Sequence, residues 1–111
     1  MTKSYMEIHM TNKFKIGDIV RELRRCAKLD AQGNFTFNKN GMAVETKAWS
    51  DYTLEIVAVP DGKRKRFAAK TEWGATYHFA EKTLELASNI DPDQVCESWE
   101  GVLVLRTKDG A

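Results

Sequence analysis

Between residues 51 and 87 apolar and polar positions alternate in short runs, the pattern of half-buried antiparallel strands. Tyr52, Leu54 and Ile56 alternate with Thr53, Glu55 and Val57. Asp61-Gly62 then supplies a dipeptide suited to the positive-φ turn of a tight hairpin. The return strand is expected to begin with Lys63-Arg64-Lys65-Arg66 and to continue through Phe67, Ala68 and Ala69. Trp73-Gly74 marks the next turn, Tyr77 and Phe79 alternate beyond it, and Leu84-Glu85-Leu86 closes the run.

Outside this stretch the pattern is mixed. Met6, Ile8 and Met10 alternate in an otherwise polar start, as in a short edge strand or a loose tail. Ile16, Ile19, Val20, Leu23 and Ala27 fall at helical spacing, and Arg24, Arg25 and Lys28 sit where a helix C-terminus favours cations. Local periodicity therefore predicts a helix over about residues 18–31. Phe35-Thr36-Phe37, Asn40-Gly41 and Met42-Ala43-Val44 read as a hairpin around a type I′ turn, and residues 45–50 as a connector containing Trp49. Asp91-Pro92-Asp93-Gln94 carries a helix start, with Asp91 as N-cap, Pro92 first in the helix and Gln94 completing a capping box. That short helix is expected to end near Trp99 to Gly101. Val102-Leu103-Val104-Leu105 follows as a final strand and residues 107–111 as a frayed tail.

A chain of 111 residues is expected to form a single domain with a core that needs no staples. Its 42% hydrophobic and 30% charged residues argue against disorder, and no apolar run approaches the ~20 residues of a membrane span. The polar start lacks the apolar stretch of a signal peptide, so cytoplasmic residence is expected, in a host cytoplasm if the chain is phage-encoded. Cys26 and Cys96 then read as free, half-buried thiols. The net charge of +1 hides an asymmetry. Residues 1–70 carry 14 Lys and Arg against 8 Asp and Glu, net +6, whereas residues 71–111 carry 3 against 8, net −5. Such a division makes a bipolar surface unless the two sets intermingle in space.

Phe14-x-Ile16-Gly17-Asp18-Ile19-Val20, Asp61-Gly62, and Tyr77-x-Phe79-Ala80-Glu81-Lys82-Thr83-Leu84-Glu85-Leu86 together resemble the Src-homology-3-like small barrels, including their KOW and Tudor-like variants. In that resemblance Asn40-Gly41 lies in the long loop after the first strand, and one helical turn separates the last two strands. It covers residues 14–87 and leaves residues 1–13 as an N-terminal segment and 88–111 as an extension. The expected fold is mainly β: a small antiparallel barrel with a short C-terminal helix and strand. The alternative is α+β, with the amphipathic helix at about 18–31 packed on an antiparallel sheet. The acidic loop and Pro-Tyr signature of the peptide-binding barrels are missing, which disfavours a proline-rich ligand.

No catalytic constellation stands out, so the expectation is a non-enzymatic protein without metal or cofactor. His9 and His78 each stand alone, and Glu72, Glu81 and Glu85 read as charged surface. Gly17, Gly33 and Gly41 stand singly at turns and form no phosphate loop. The sharpest chemical feature is Lys63, Arg64, Lys65 and Arg66. These four form either a phosphate-binding hairpin, helped by Arg21, Arg24, Arg25 and Lys28, or a tip kept soluble and guarded by charge. Trp49, Tyr52, Trp73, Tyr77 and Phe79 are aromatics that a small barrel can gather at one rim, although Tyr52, Tyr77 and Phe79 are expected to pack in the core instead. Tudor-like relatives hold a methylated cation on such a rim, and Trp73 beside Gly74 is the best exposed candidate. In size and in its lack of a catalytic set the chain also resembles small accessory proteins of phages, some of which block a host enzyme or defence complex. The expected function is binding of another protein through Trp73, Lys63, Arg64, Lys65 and Arg66. Nucleic-acid binding through the basic hairpin is the alternative.

Overall fold

The computed structural model describes residues 12–106. Met6, Ile8, Met10, His9 and the tail over residues 107–111 lie outside the described residues. Among the described residues eight strands form one mixed, open sheet: β1 (Ile19–Leu29), β2 (Glu45–Trp49), β3 (Leu54–Ala58), β4 (Phe67–Thr71), β5 (Thr76–Phe79), β6 (Leu84–Leu86), β7 (Glu97–Trp99) and β8 (Val102–Arg106). Helical structure among the described residues is confined to the 3-10 turns Glu81–Thr83, Ala87–Asn89 and Pro92–Gln94. The fold is mainly β, as the alternation over residues 51–87 predicts.

The helix expected at 18–31 is instead β1, and the α+β alternative falls with it. In a strand, N–H and C=O of even-numbered residues point to one edge and those of odd-numbered residues to the other. Ile56 N donates to Asp18 O, Ser50 N to Glu22 O, and Lys28 N to Val44 O, so β3 and β2 lie in series along the even edge. β6 and β8 occupy the opposite edge. Residues 21–24 are all half-buried, so neither face of the strand there is fully solvated and no clean alternation is written into its sequence. The apolar stripe that mimics a helix is not a buried face. Ile16 and Ile19 are exposed, whereas Val20, Cys26 and Leu29 are buried.

β1 joins two lobes. In the first, its N-terminal half pairs with β3 and β6, and β3, β4 and β5 continue as a meander, all antiparallel. The core there is Phe14, Val20, Leu54, Ile56, Phe67, Ala69 and Leu84, with the Phe14 and Phe67 rings edge to face at 5.3 Å. In the second lobe the C-terminal half of β1 pairs with β2 and, in parallel, with β8, which in turn pairs with β7. Its core is small: Cys26, Ala48 and Cys96, flanked by Leu103 and Leu105. Both cysteines are free, as expected, but fully buried rather than half-buried, and burial pushes both thiols up from their ordinary range.

Four local expectations need correction. Residues 45–50 are not a connector, because Glu45–Trp49 is β2. The turn at Asn40-Gly41 forms, but only Gly41 takes a positive φ (+80°). The Asn38 side chain organises it by accepting from Asn40 N and Met42 N, and its arms meet at the single bridge Phe37–Ala43. Between β3 and β4 the chain reverses without a positive-φ Gly62, because the Asp61 carboxylate accepts from Lys63 N and Arg64 N and closes an Asx-type turn. The basic run is therefore loop, and β4 starts only at Phe67. Finally, Asp91 caps a 3-10 turn that stops at Gln94. Glu100 (φ +50°) and Gly101 (φ +82°) are not a helix end; they are the two central residues of the β7–β8 hairpin turn.

Candidate functional site

The site grows from the corner where β2 ends and β3 has not yet begun. Ser50, 1% exposed, locks that corner to β1: its N–H donates to Glu22 O, and its hydroxyl donates to Tyr52 O (2.7 Å) and accepts from Glu22 N (3.1 Å). Arg21 adds a bond from its guanidinium to Ser50 O at 2.8 Å. The corner thus delivers Tyr52 beneath the even-numbered side chains of β1. The Tyr52 hydroxyl donates to Glu22 Oε1 and accepts from Arg24 Nη1 at 2.9 Å. Burial and the bond to Glu22 push the Tyr52 phenol up to about 12, while the bond to Tyr52 raises the Arg24 guanidinium further. Glu22, Tyr52 and Arg24 form one chain of bonds in which a carboxylate and a guanidinium share a neutral hydroxyl.

A second wall comes from the β4–β5 hairpin. Thr71 N donates to Ala75 O, Gly74 N to Thr71 O, and Ala75 N to Thr71 Oγ1, closing a three-residue loop with Gly74 at φ +95°. This loop holds Trp73 over Tyr52, edge to face with centroids 5.5 Å apart, and the Thr53 hydroxyl donates to Glu72 at 3.1 Å alongside. Tyr77 and Phe79 follow on one face of β5, their rings 6.5 Å apart. Together Glu22, Arg24, Tyr52, Trp73, Tyr77, His78 and Phe79 surround an open cleft of about 450 Å³ floored by Leu54 and Thr71. Trp73 is 61% and Tyr77 50% exposed, so both have surface to give to a ligand.

Of the five aromatics proposed for one rim, the cleft gathers four, and Trp49 stays apart in β2, paired with Leu23 of β1. Lys63, Arg64, Lys65 and Arg66 are exposed, but β4 separates them from Trp73. Its five residues put the basic loop and the Trp73 loop at opposite ends of a strand, roughly 16 Å apart. The cations of β1 do not join the basic loop either. Arg24 lies in the cleft, Arg21 is bonded to the Ser50 carbonyl, and Arg25 pairs with Glu45 at 3.6 Å. Lys28 is exposed in the second lobe. Among the described residues no group of three His, Cys, Asp or Glu side chains is placed to hold a metal, and no helix is long and apolar enough to cross a membrane.

Sequence reasoning missed Glu22 and Ser50. Glu22 is the single acid within Arg21-Glu22-Leu23-Arg24-Arg25, and its position between cations is the one signal that sets it apart. Ser50 carries no signal, since its role comes from a backbone corner. No known family model matches the chain, and no curated protein or solved structure is significantly similar to it.

Proposed function

We propose that this protein is a non-enzymatic module that binds another protein through the aromatic cleft of its first lobe, with Trp73 as the anchor. The observation that carries the reading is an indole 61% exposed yet held on Tyr52, itself fixed by Glu22 and Arg24. Exposed, pre-ordered aromatics beside an Arg are the residue types that dominate protein interfaces, because little entropy is lost when they dock. Chemistry at this cleft is disfavoured by the same network. A phenol pushed up to about 12 is a poor base or nucleophile near neutral pH. The two thiols lie in the second-lobe core rather than in this cleft, and burial pushes both up from their ordinary range. The antiparallel meander β3–β5, the 3-10 turn Glu81–Thr83 and the return of β6 to β1 support reading the first lobe as a Src-homology-3-like barrel variant. The role we assign is occupation of a partner's surface, as in the small phage inhibitors the chain resembles.

The direct test is capture of partners from the native cell by the wild type and by Trp73→Ala. The Ala variant is expected to lose them, and equal recovery by both removes Trp73 from the site. A second reading rests on Lys63, Arg64, Lys65 and Arg66, which are exposed and make no ion pair among the described residues. Backbone phosphates attract such a loop through counterion release. Fluorescence anisotropy with labelled DNA and RNA at low salt tests it, and no binding there sinks it.

A further inference from the structure

We infer that the open edge of β5 is a docking edge for an extended, uncharged segment of the partner protein, which adds a strand beside β5 and places one aliphatic or aromatic side chain in the Trp73–Tyr77 cleft. This rests on the protein-binding reading and specifies its geometry. The edge follows from register. Thr71 and Ala75 form a bonded pair, so Ala69–Tyr77 and Phe67–Phe79 are the bonded pairs of the β4–β5 ladder. The N–H and C=O groups of Thr76 and His78 therefore point away from β4, and no other strand pairs with β5 among the described residues.

Natural edge strands are usually guarded by charge, proline or a bulge. β5, Thr76-Tyr77-His78-Phe79, has no Lys, Glu, Asp or Pro, and its register with β4 is unbroken. The opposite edge strand, β7, is three residues long and carries Glu97, bonded to Arg106 at 2.7 Å. The unguarded edge is the one beside the aromatic cleft. Main-chain bonds along such an edge give affinity to any extended peptide, while a neighbouring pocket chooses among its side chains.

Charge selects the occupant. The cleft's carboxylate and guanidinium are held side by side on the Tyr52 hydroxyl, so their opposite charges largely offset each other there. A charged side chain of either sign entering among the rings is attracted by one of the pair and repelled by the other, and gives up hydration in a half-buried setting. A neutral side chain meets apolar surface from Trp73, Tyr77 and Phe79. The compensated floor thus matches an uncharged anchor rather than the methylated cation that the Tudor-like resemblance implies.

The test selects binders from a displayed library of random linear peptides, using the wild type, and re-measures the winners against Trp73→Ala and His78→Pro. His78 also lines the cleft, so His78→Ala serves as the control for loss of its side chain. Proline at the same position additionally removes an N–H that faces outward, while the β4–β5 ladder keeps its bonds. Expected are peptides with one aliphatic or aromatic anchor among β-forming residues. Their affinity should fall about tenfold or more when a single edge-facing amide is N-methylated. Binding should also shift the amide resonances of Thr76 and His78. The inference is overturned if peptide N-methylation is without effect, if His78→Pro binds no more weakly than His78→Ala, if those two amides do not move, or if the selected anchors are cationic. Binding that stays sensitive to Trp73→Ala under those outcomes leaves the protein-binding reading standing. Winners that bind Trp73→Ala as well as wild type, or a library that yields none, remove both.

Discussion

The two lobes share β1 and differ in what fills them. The first gathers two phenylalanines and a set of branched aliphatics into one cluster, whereas the second packs two cysteines and an alanine together, with Leu29 and Val104 its larger buried side chains. A core of large side chains holds its strands at fixed spacing and gives an open rim something rigid to rest on. The first lobe leaves its rim open between β5 and the Glu22–Tyr52–Arg24 chain, and the cleft lies there. The second lobe buries no aromatic ring and carries Phe37 and Trp99 outside its core. A cleft of similar volume, about 450 Å³, borders the second lobe between Arg21, Ile90, Pro92, Cys96 and Glu97, but it has no aromatic lining. Exposed aromatics around a cleft occur in the first lobe, and that is the physical reason for proposing the function there.

The largest effect should come from emptying the larger core. Phe67→Ala removes a fully buried ring in contact with Phe14 and is expected to destabilise the protein by about 3–5 kcal/mol in urea unfolding. Cys96→Ala removes one buried sulfur from the second core and should cost about 1 kcal/mol. Equal losses from the two substitutions break the contrast between the lobes.

Next comes the rim. Trp73→Ala should leave stability nearly unchanged, because the indole is mostly exposed. It should nonetheless weaken partner binding by about 2 kcal/mol, or roughly 30-fold, in titration calorimetry with the captured partner. A binding loss matched by an equal stability loss means that Trp73 supports the fold rather than the interface.

Smaller again is Tyr52→Phe, which cuts the hydroxyl from between Glu22 and Arg24 and should cost about 1 kcal/mol at neutral pH. Its pH signature has a definite sign. The folded-state phenol titrates at about 12, above the ordinary value of 10.0, so folding favours the protonated form. That contribution is fully present below pH 10 and is lost as pH rises through 12. The wild type should therefore lose stability over this window more steeply than Tyr52→Phe, measured as the difference between their unfolding curves. Parallel curves dissolve the network as a feature that sets the first lobe apart.

Legibility in the sequence follows the same division. Strands with one buried and one solvated face announced themselves: Leu54 and Ile56 are buried while Glu55 is exposed, and the Trp73-Gly74 turn lies where expected. β1 was hidden because residues 21–24 are half-buried without alternation, and its apolar positions happen to repeat at helical spacing. Of the cleft's aromatics, the exposure of Trp73 was legible from its turn, whereas Tyr77, expected in the core, is 50% exposed, and Tyr52 and Phe79 pack only partly against the core. The chain linking Glu22 to Arg24 was not. It depends on the Ser50 corner bringing residues about thirty positions apart within bonding distance, and no local pattern encodes that.

The smallest effect on folding should come from the basic loop. Replacing Lys63, Arg64, Lys65 and Arg66 together by Ala is expected to change stability by under about 0.5 kcal/mol, because all four side chains are exposed and Asp61 organises the turn through backbone N–H groups that the substitutions keep. Binding to the partner captured through Trp73 should also be unaffected at moderate salt, since roughly 16 Å of β4 lies between the two loops and exceeds the screening length. If the quadruple variant instead loses that partner while Trp73→Ala keeps it, the contact belongs to the far end of β4. The first lobe then serves as a scaffold for a charged loop rather than for an aromatic cleft.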